Sequence, residues 1–251
     1  MGISMATAEA WVERWERQQQ RYAIDREERF DVIADVVEHA TAGLARPLLV
    51  ELGCGPGSLA SRLARRTPNA EIVAVDRDPV LLELGRTHHA DAARWVEAVL
   101  GDAGWAGALG LDRAADAVVS STALHCLPEE ALARTYRDAA ALLRPGGVLV
   151  NADHFPSDGA LCSRLTAHVG RRRQEAAPVG QALDWESWWA AAARDPELAD
   201  AFAQRALRPA PGDPDEPLTL SRHVRLLRAA GFRQVCTVWQ YGQSRVLVAV
   251  T

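Results

Sequence analysis

Apolar residues along this chain recur with two rhythms in turn, and their alternation predicts most of the architecture. Between Thr7 and about His39, the residues Trp11, Trp15, Tyr22, Phe30, Ile33 and Val37 return at roughly helical spacing amid many charges. This predicts two amphipathic helices broken near Asp25. The short apolar run Leu48-Leu49-Val50 predicts a buried strand over 48 to 52, and Leu59, Ala60, Leu63 and Ala64 open a helix behind it. Thr67-Pro68-Asn69 breaks the chain before a second strand, Ile72 to Val75, which closes on Asp76. Arg77-Asp78-Pro79 then leads into a helix from Val80 to Ala90, with proline at its first turn. A third strand is expected around Trp95 to Leu100, ending on Gly101-Asp102, and a fourth over Ala117 to Ser120. A helix from Glu129 to Leu143 and a tight turn at Arg144-Pro145-Gly146-Gly147 precede a fifth strand, Val148 to Asn151.

From 153 to 217 the rhythm stops. This stretch holds Trp185, Trp188 and Trp189 and a Pro/Asp-rich segment from Pro209 to Pro217, and it reads as an inserted cap. Leu218 to Ala230 predicts a helix stopped by Gly231, and Gln234 to Gln240 with Arg245 to Val250 predicts a hairpin through Tyr-Gly-Gln-Ser. Strands alternating with helices argue for an α/β, doubly wound and mostly parallel sheet of seven strands, here with an antiparallel finish. In such sheets ligands sit beyond the carboxyl ends of the strands. Glu51, Asp76, Asp102 and the run Ser120, Ser121, Thr122 all fall at those ends.

The chemistry concentrates at residues 50 to 58, Val-Glu-Leu-Gly-Cys-Gly-Pro-Gly-Ser, where three glycines at alternate positions occupy a strand-to-helix turn. Glycine lets such a turn adopt positive φ and lets a ligand approach the backbone. A dinucleotide fingerprint wants glycine at 58, where this chain has Ser58, and has no use for Glu51. Asp76 stands about twenty residues on, where a carboxylate accepts both hydroxyls of a ribose, and is expected to face ligand or solvent.

Composition narrows the function. The net charge is −5, with no cluster of basic residues to neutralise phosphates, so nucleic acid is not an expected partner. All 28 basic residues are arginine; without lysine, Schiff-base chemistry and the phosphate-binding lysine of the P-loop are both excluded. Cys54, Cys126, Cys162 and Cys236 are widely spaced, with no C-x-x-C pair, and read as free thiols in a reducing compartment. No signal or membrane-spanning stretch is evident, so the expectation is a cytoplasmic protein without membrane contact.

Glu51-Leu-Gly-Cys-Gly-Pro-Gly57, Val75-Asp76, Gly101-Asp102 and Leu143-Arg-Pro-Gly-Gly147, in that order and spacing, resemble the class I S-adenosylmethionine-dependent methyltransferases. The likeness spans about 48 to 155, and the C-terminal hairpin agrees with it. It implies a Rossmann-like fold and S-adenosylmethionine as cofactor. The implied contacts are Gly53, Gly55 and Gly57 to the methionine end, Asp76 to the ribose and Asp102 to the adenine, with Cys54, Arg77 and Ala103 beside them as further cofactor-binding residues. Ser120 and Ser121 complete the crevice. The implied organisation is an N-terminal helical lid at 1–40, a cofactor-binding core at 41–155, an inserted helical cap at 156–217 that binds the acceptor, and a C-terminal helix and hairpin at 218–251. Glu51 either supplies charge to the cofactor's cationic groups or braces the loop. Tyr22 and Arg26, with Arg29 one turn on, either bind the cofactor's carboxylate or decorate a solvated helix.

Methyl transfer from a sulfonium is a displacement that needs alignment in a dry site; an alcohol, amine or carbon acceptor needs a base as well, whereas a carboxylate does not. His125, in the loop after the fourth strand, and the pair Asp153-His154, beyond the fifth, are the candidates for that role. His125 alternatively only orders its loop, and neighbouring residues in an extended segment point apart, which weakens Asp153 and His154 as a pair. The tryptophans offer an aromatic wall or the cap's own core, and Arg171-Arg172-Arg173 an anion-attracting patch or a solvated face. No metal site is expected. A small-molecule acceptor, methylated on oxygen or nitrogen, is the leading expectation, with carbon methylation, a nicotinamide-dependent oxidoreductase and a non-catalytic cofactor-binding protein as alternatives, and a homodimer is possible.

Overall fold

The computed structural model describes residues 2–23, 25–176, 184–208 and 217–251. Two helices, α1 (Met5–Tyr22) and α2 (Arg26–Ala40), precede the first strand, β1 (Leu48–Leu52). There follow α3 (Ser58–Arg66), β2 (Glu71–Asp76), α4 (Pro79–His88), β3 (Arg94–Glu97), the short α5 (Trp105–Ala108) and β4 (Ala115–Ser121). Next come α6 (Glu129–Leu142), β5 (Leu143–His154), and the helices α7 (Ala160–Ala176), α8 (Trp185–Ala192) and α9 (Ala199–Ala206). The chain ends with α10 (Leu220–Ala229), β6 (Gln234–Tyr241) and β7 (Ser244–Val250).

The seven strands lie in the order β3-β2-β1-β4-β5-β7-β6, with β1 to β5 parallel and β7 antiparallel to both of its neighbours. This is the mostly parallel sheet with an antiparallel finish that the apolar rhythm predicts. Strands β1, β4 and β2 are buried on both faces, as parallel strands covered by helices must be. Strand β7 is buried rather than alternating, because it runs between β5 and β6 instead of at the edge.

Two elements differ from the sequence reading. Arg144-Pro145-Gly146-Gly147 is not a turn ahead of β5 but part of it: Leu143 already pairs with Ala115, and the register shifts between Ala115 and Ala117. Gly146 takes φ 75°, and a Cβ on Gly147 would lie 2.9 Å from the Arg144 carbonyl, so the irregular segment needs glycine at both places. Strand β3 stops at Glu97, and residues 98–104 form turns instead of continuing to Leu100.

The tryptophans join the N-terminal helix to the cap. Trp188 is fully buried, its ring 5.5 Å from that of Trp11 and 5.1 Å from that of Trp15, both nearly edge to face. Each such contact adds about 0.5–1.5 kcal/mol beyond area burial. Trp11 Nε1 donates to Asp195 at 2.8 Å and Thr7 Oγ1 to Glu197 at 2.8 Å, tying the start of α1 to the turn before α9. This cluster is core shared by α1, α4, α8 and α9; of the three tryptophans of α8, Trp185 is half exposed. The predicted linker lies, except for Pro217, outside the described residues. Among the described residues, no helix is long and apolar enough to cross a membrane.

Candidate functional site

The glycine turn connects β1 to α3, and its backbone is committed to positive φ: 66° at Gly53, 53° at Gly55 and 88° at Gly57. A Cβ on Gly53 would stand 2.3 Å from the Ala123 methyl, and one on Gly57 2.2 Å from Cη2 of Trp95. At Gly55 the neighbour is Trp15 of α1, at contact distance. Gly53 thus admits the loop after β4, and Gly57 admits the indole of β3. Three backbone N–H groups hold the turn: Cys54 N–H donates to the Val75 carbonyl, Gly57 N–H to the Cys54 carbonyl, and Gly55 N–H to the side chain of Asp76, at Oδ2, 2.8 Å away.

Asp76 therefore does more than face ligand or solvent. Its Oδ1 also accepts from the Asp78 N–H at 2.9 Å, so one carboxylate joins the glycine turn to the entrance of α4. The helix cap is Asp78, which accepts from Val80 N–H at 3.0 Å. Burial pushes Asp76 up, and the Asp78, Gly55 and Arg77 N–H groups pull it back. Arg77 itself is half-buried.

Glu51 lies beneath the turn, 3% exposed, with Oε2 lacking any hydrogen-bond partner. Its pKa is pushed up to about 8, mainly by burial and further by the Asp76 charge, against the Ala60 N–H and the Arg26 charge. Ser120 Oγ donates to the Leu52 carbonyl at 2.9 Å, so that hydroxyl stitches β4 to β1. Ser121 Oγ is buried and unpartnered. Asp102 and Ala103 are exposed and line a surface hollow with Arg134, Arg137 and Asp138.

Helix α1 closes over the turn with residues that the sequence reading does not single out. Glu16 accepts from the Ser58 hydroxyl and from Arg26 and Arg62, fastening α1 to the first turn of α3. Gln18 is fully buried and its Nε2 has no partner. Arg26 is spent on Glu16 and lies 4.8 Å over the Phe30 ring, and the hydroxyl of half-exposed Tyr22 accepts from the Trp185 N–H at 3.1 Å. Charge partners of this kind carry no period along the chain.

The catalytic candidates group differently from their order in sequence. Ser121 of β4 stands opposite Ala152 of β5, so the residues that follow on each strand emerge side by side. His125 Nδ1 lies 2.9 and 3.0 Å from the two Asp153 oxygens, and the His125 N–H also reaches Asp153 at 3.3 Å. Asp153 thus pairs with the His125 ring, and from its neighbour His154 it accepts only the backbone N–H, at 2.8 Å. The Asp153 charge outweighs desolvation and raises His125 to about 11, so the ring is imidazolium at neutral pH. Against the cost of its own burial, Asp153 is held below its usual range by that imidazolium. The His125 side chain is 44% exposed and Asp153 only 2%, so a carboxylate in the floor orients a ring that meets the crevice. Thr122, just before the turn that carries His125, takes φ 51°, a strained conformation for a β-branched residue. His154 reaches solvent; desolvation of its ring and the nearby Arg29 charge lower its pKa.

Residues 49–147 match the family model described as a methyltransferase domain. Trans-aconitate 2-methyltransferase of Methylobacterium radiotolerans is 33% identical over 172 residues, covering 65% of this chain and 53% of that protein. The chain spans about half the length of the curated relatives it matches first. Among solved structures, magnesium protoporphyrin IX methyltransferase of Synechocystis with bound SAH superposes with TM-score 0.56 at 16% identity, over 95% of this chain and 93% of that one. Human N-acetylserotonin methyltransferase in complex with SAM gives TM-score 0.52 at 18% identity, over 95% and 56%. The residues present suit this cofactor: the unpartnered Glu51 oxygen offers a buried acceptor for a cation, and Asp76 stands with its carboxylate at the end of β2. By likeness and sheet topology together, residues 49–147 carry a methyltransferase domain on a Rossmann-like sheet similar to that of solved S-adenosylmethionine-dependent enzymes.

Proposed function

We propose that this chain methylates a small-molecule acid on a carboxylate oxygen. One observation carries the choice of acceptor: His125 Nδ1 lies against both oxygens of buried Asp153, whose charge raises the pKa of the ring to about 11. A ring in that state donates through Nε2 and is a poor proton acceptor at neutral pH, which suits an acceptor that arrives already ionised. When bound, the cofactor supplies a methyl group on cationic sulfur, and transfer to a carboxylate releases no proton. Glu51 and the glycine turn would hold the cofactor's cationic end, Asp76 its ribose, and Asp102 its adenine, while His125 would orient the acceptor by a charged hydrogen bond. The relative from Methylobacterium radiotolerans is named for trans-aconitate, a tricarboxylate, which belongs in the acceptor panel.

The test is transfer of label from methyl-labelled cofactor to carboxylates, phenols, amines and keto acids, with the methylated atom located by mass spectrometry. A carboxylate ester is expected, formed at saturating cofactor at a rate nearly constant between pH 6 and 9. Label found on a phenol or amine, with a rate that falls as pH drops through the ordinary histidine range, would instead make His125 a general base.

A further inference from the structure

Arg29 is fully buried, and its Nε, Nη1 and Nη2 all lack a hydrogen-bond partner. A guanidinium has five donors, and leaving them unpaired out of water is among the costliest arrangements a side chain can adopt. The charges of Asp153 and Asp25 offset part of that cost, but no acceptor reaches the N–H groups themselves. Such a group makes sense if its partner is a ligand.

Its place in the fold says which ligand. The inward stripe of α2 begins with Arg26 and Arg29 and continues through Phe30, Ile33, Ala34 and Val37. At the other end of this helix the Ala40 carbonyl accepts from Arg144 Nη2 at 3.0 Å, and Arg144 opens β5. Helix α2 therefore runs opposite to β5, and its first turn lies at the carboxyl end of that strand, where Asp153 and His154 emerge. Asp153 and Asp25 act on the Arg29 charge without hydrogen-bonding it, and the Arg29 charge in turn acts on His154. Arg26, by contrast, is spent on Glu16 beside Ser58, and its charge reaches Glu51 under the glycine turn. The two arginines thus serve two ends of the crevice, Arg26 the glycine turn and Arg29 the side where His125 stands.

We propose that Arg29 is the receptor for a second, non-reacting carboxylate of the acceptor, so that the substrate is an acid with at least two carboxylates. A planar carboxylate takes two parallel N–H bonds from one guanidinium. Held that way, its lone pairs are engaged and it is a poor nucleophile; the oxygen that is methylated must belong to another carboxylate, near His125. Two ion pairs, Arg173 to Asp25 at 2.7 Å and to Glu28 at 2.9 Å, tie α7 to the start of α2, the end that carries this anchor. The inference rests on carboxylate methylation as the reaction, but the two separate experimentally.

The experiment compares the full-length parent with Arg29→Met and Arg29→Lys, using succinate, citrate and trans-aconitate as probes and butyrate and succinamide as controls. Melting is followed with and without each probe, cofactor affinity by calorimetry, and KM and kcat with any acceptor found. Without probe, Arg29→Met is expected to melt at or above the parent, because an unpaired buried charge has been removed. The polycarboxylates should raise the melting temperature of the parent and not of Arg29→Met, KM should rise about tenfold or more in that variant, and cofactor affinity should stay within a few-fold. Arg29→Lys should keep part of the shift. A variant that melts well below the parent would show that the guanidinium is paired in solution and would overturn the proposal, as would polycarboxylate shifts absent from the parent or equal in both proteins. Lost cofactor affinity in Arg29→Met would assign the group to the cofactor's own carboxylate. Diacids and monoacids methylated alike, whatever stands at 29, would sink the anchor and leave the reaction; an Arg29-dependent shift alongside methylation of a neutral acceptor would do the reverse.

Discussion

Replacing Glu51 by Gln tests the electrostatics of the cofactor end, because folding and binding should respond in opposite directions. Burial raises the Glu51 pKa from 4.5 to about 8, so the folded chain keeps this carboxyl protonated at neutral pH while the unfolded chain ionises it. Unfolding between those values releases a proton, and stability must fall as pH rises through that window. The slope is about 1.4 kcal/mol per pH unit, which by pH 7 amounts to roughly 3 kcal/mol. Glutamine is nearly isosteric with the neutral carboxyl and never ionises, so the variant escapes this loss. At pH 7 it should melt about 6–12 °C above the parent, given about 2–4 °C per kcal/mol for a chain of this size. The gap should close near pH 4.5. Other carboxylates titrate alike in both proteins and cancel in the difference. Cofactor affinity should drop about tenfold or more on loss of the charged partner. In the parent that affinity should strengthen as pH rises toward 8; in the variant it should not. Paired melts and calorimetric titrations from pH 4.5 to 8.5 decide the matter. Parallel melting curves would refute the buried neutral carboxyl, and equal affinities would refute its pairing with the cofactor.

Asp76→Ala should abolish cofactor binding and also lower stability by about 1–3 kcal/mol, since it strips the Gly55 and Asp78 N–H groups of their shared acceptor; a fully stable variant in denaturant titration would show that the brace is idle. Gly57→Ala should be strongly destabilising, because the new methyl meets the Trp95 indole at a backbone φ of 88°; Trp95→Ala in the same chain should recover part of the contact penalty but not the backbone strain. Trp188→Ala should cost about 3–5 kcal/mol and loosen the join between α1 and the cap, read as faster hydrogen exchange in α1 and α8 while β1 and β4 stay protected.

The amino-acid pattern alone determined the features that are written locally. Apolar runs of strand length closed by polar residues gave the succession of strands along the chain and, by their alternation with helices, a mostly parallel sheet, and the alternate glycines marked a turn whose backbone must take positive φ. Arg144 to Gly147 misled because a tight turn and an irregular strand call for the same residues; only pairing with Ala115 distinguishes them. Tertiary structure alone decided what depends on neighbours distant in sequence. His125 and Asp153 are 28 residues apart, and they meet because β4 and β5 are adjacent and in register. Trp188 is lid core rather than acceptor wall because α1 packs on the cap, and Arg29 is buried without a partner because its helix turns that face toward β5. A local pattern records backbone preference and which face is apolar. Where a charge lies and what it meets are set by sheet order and helix direction, which no single segment contains.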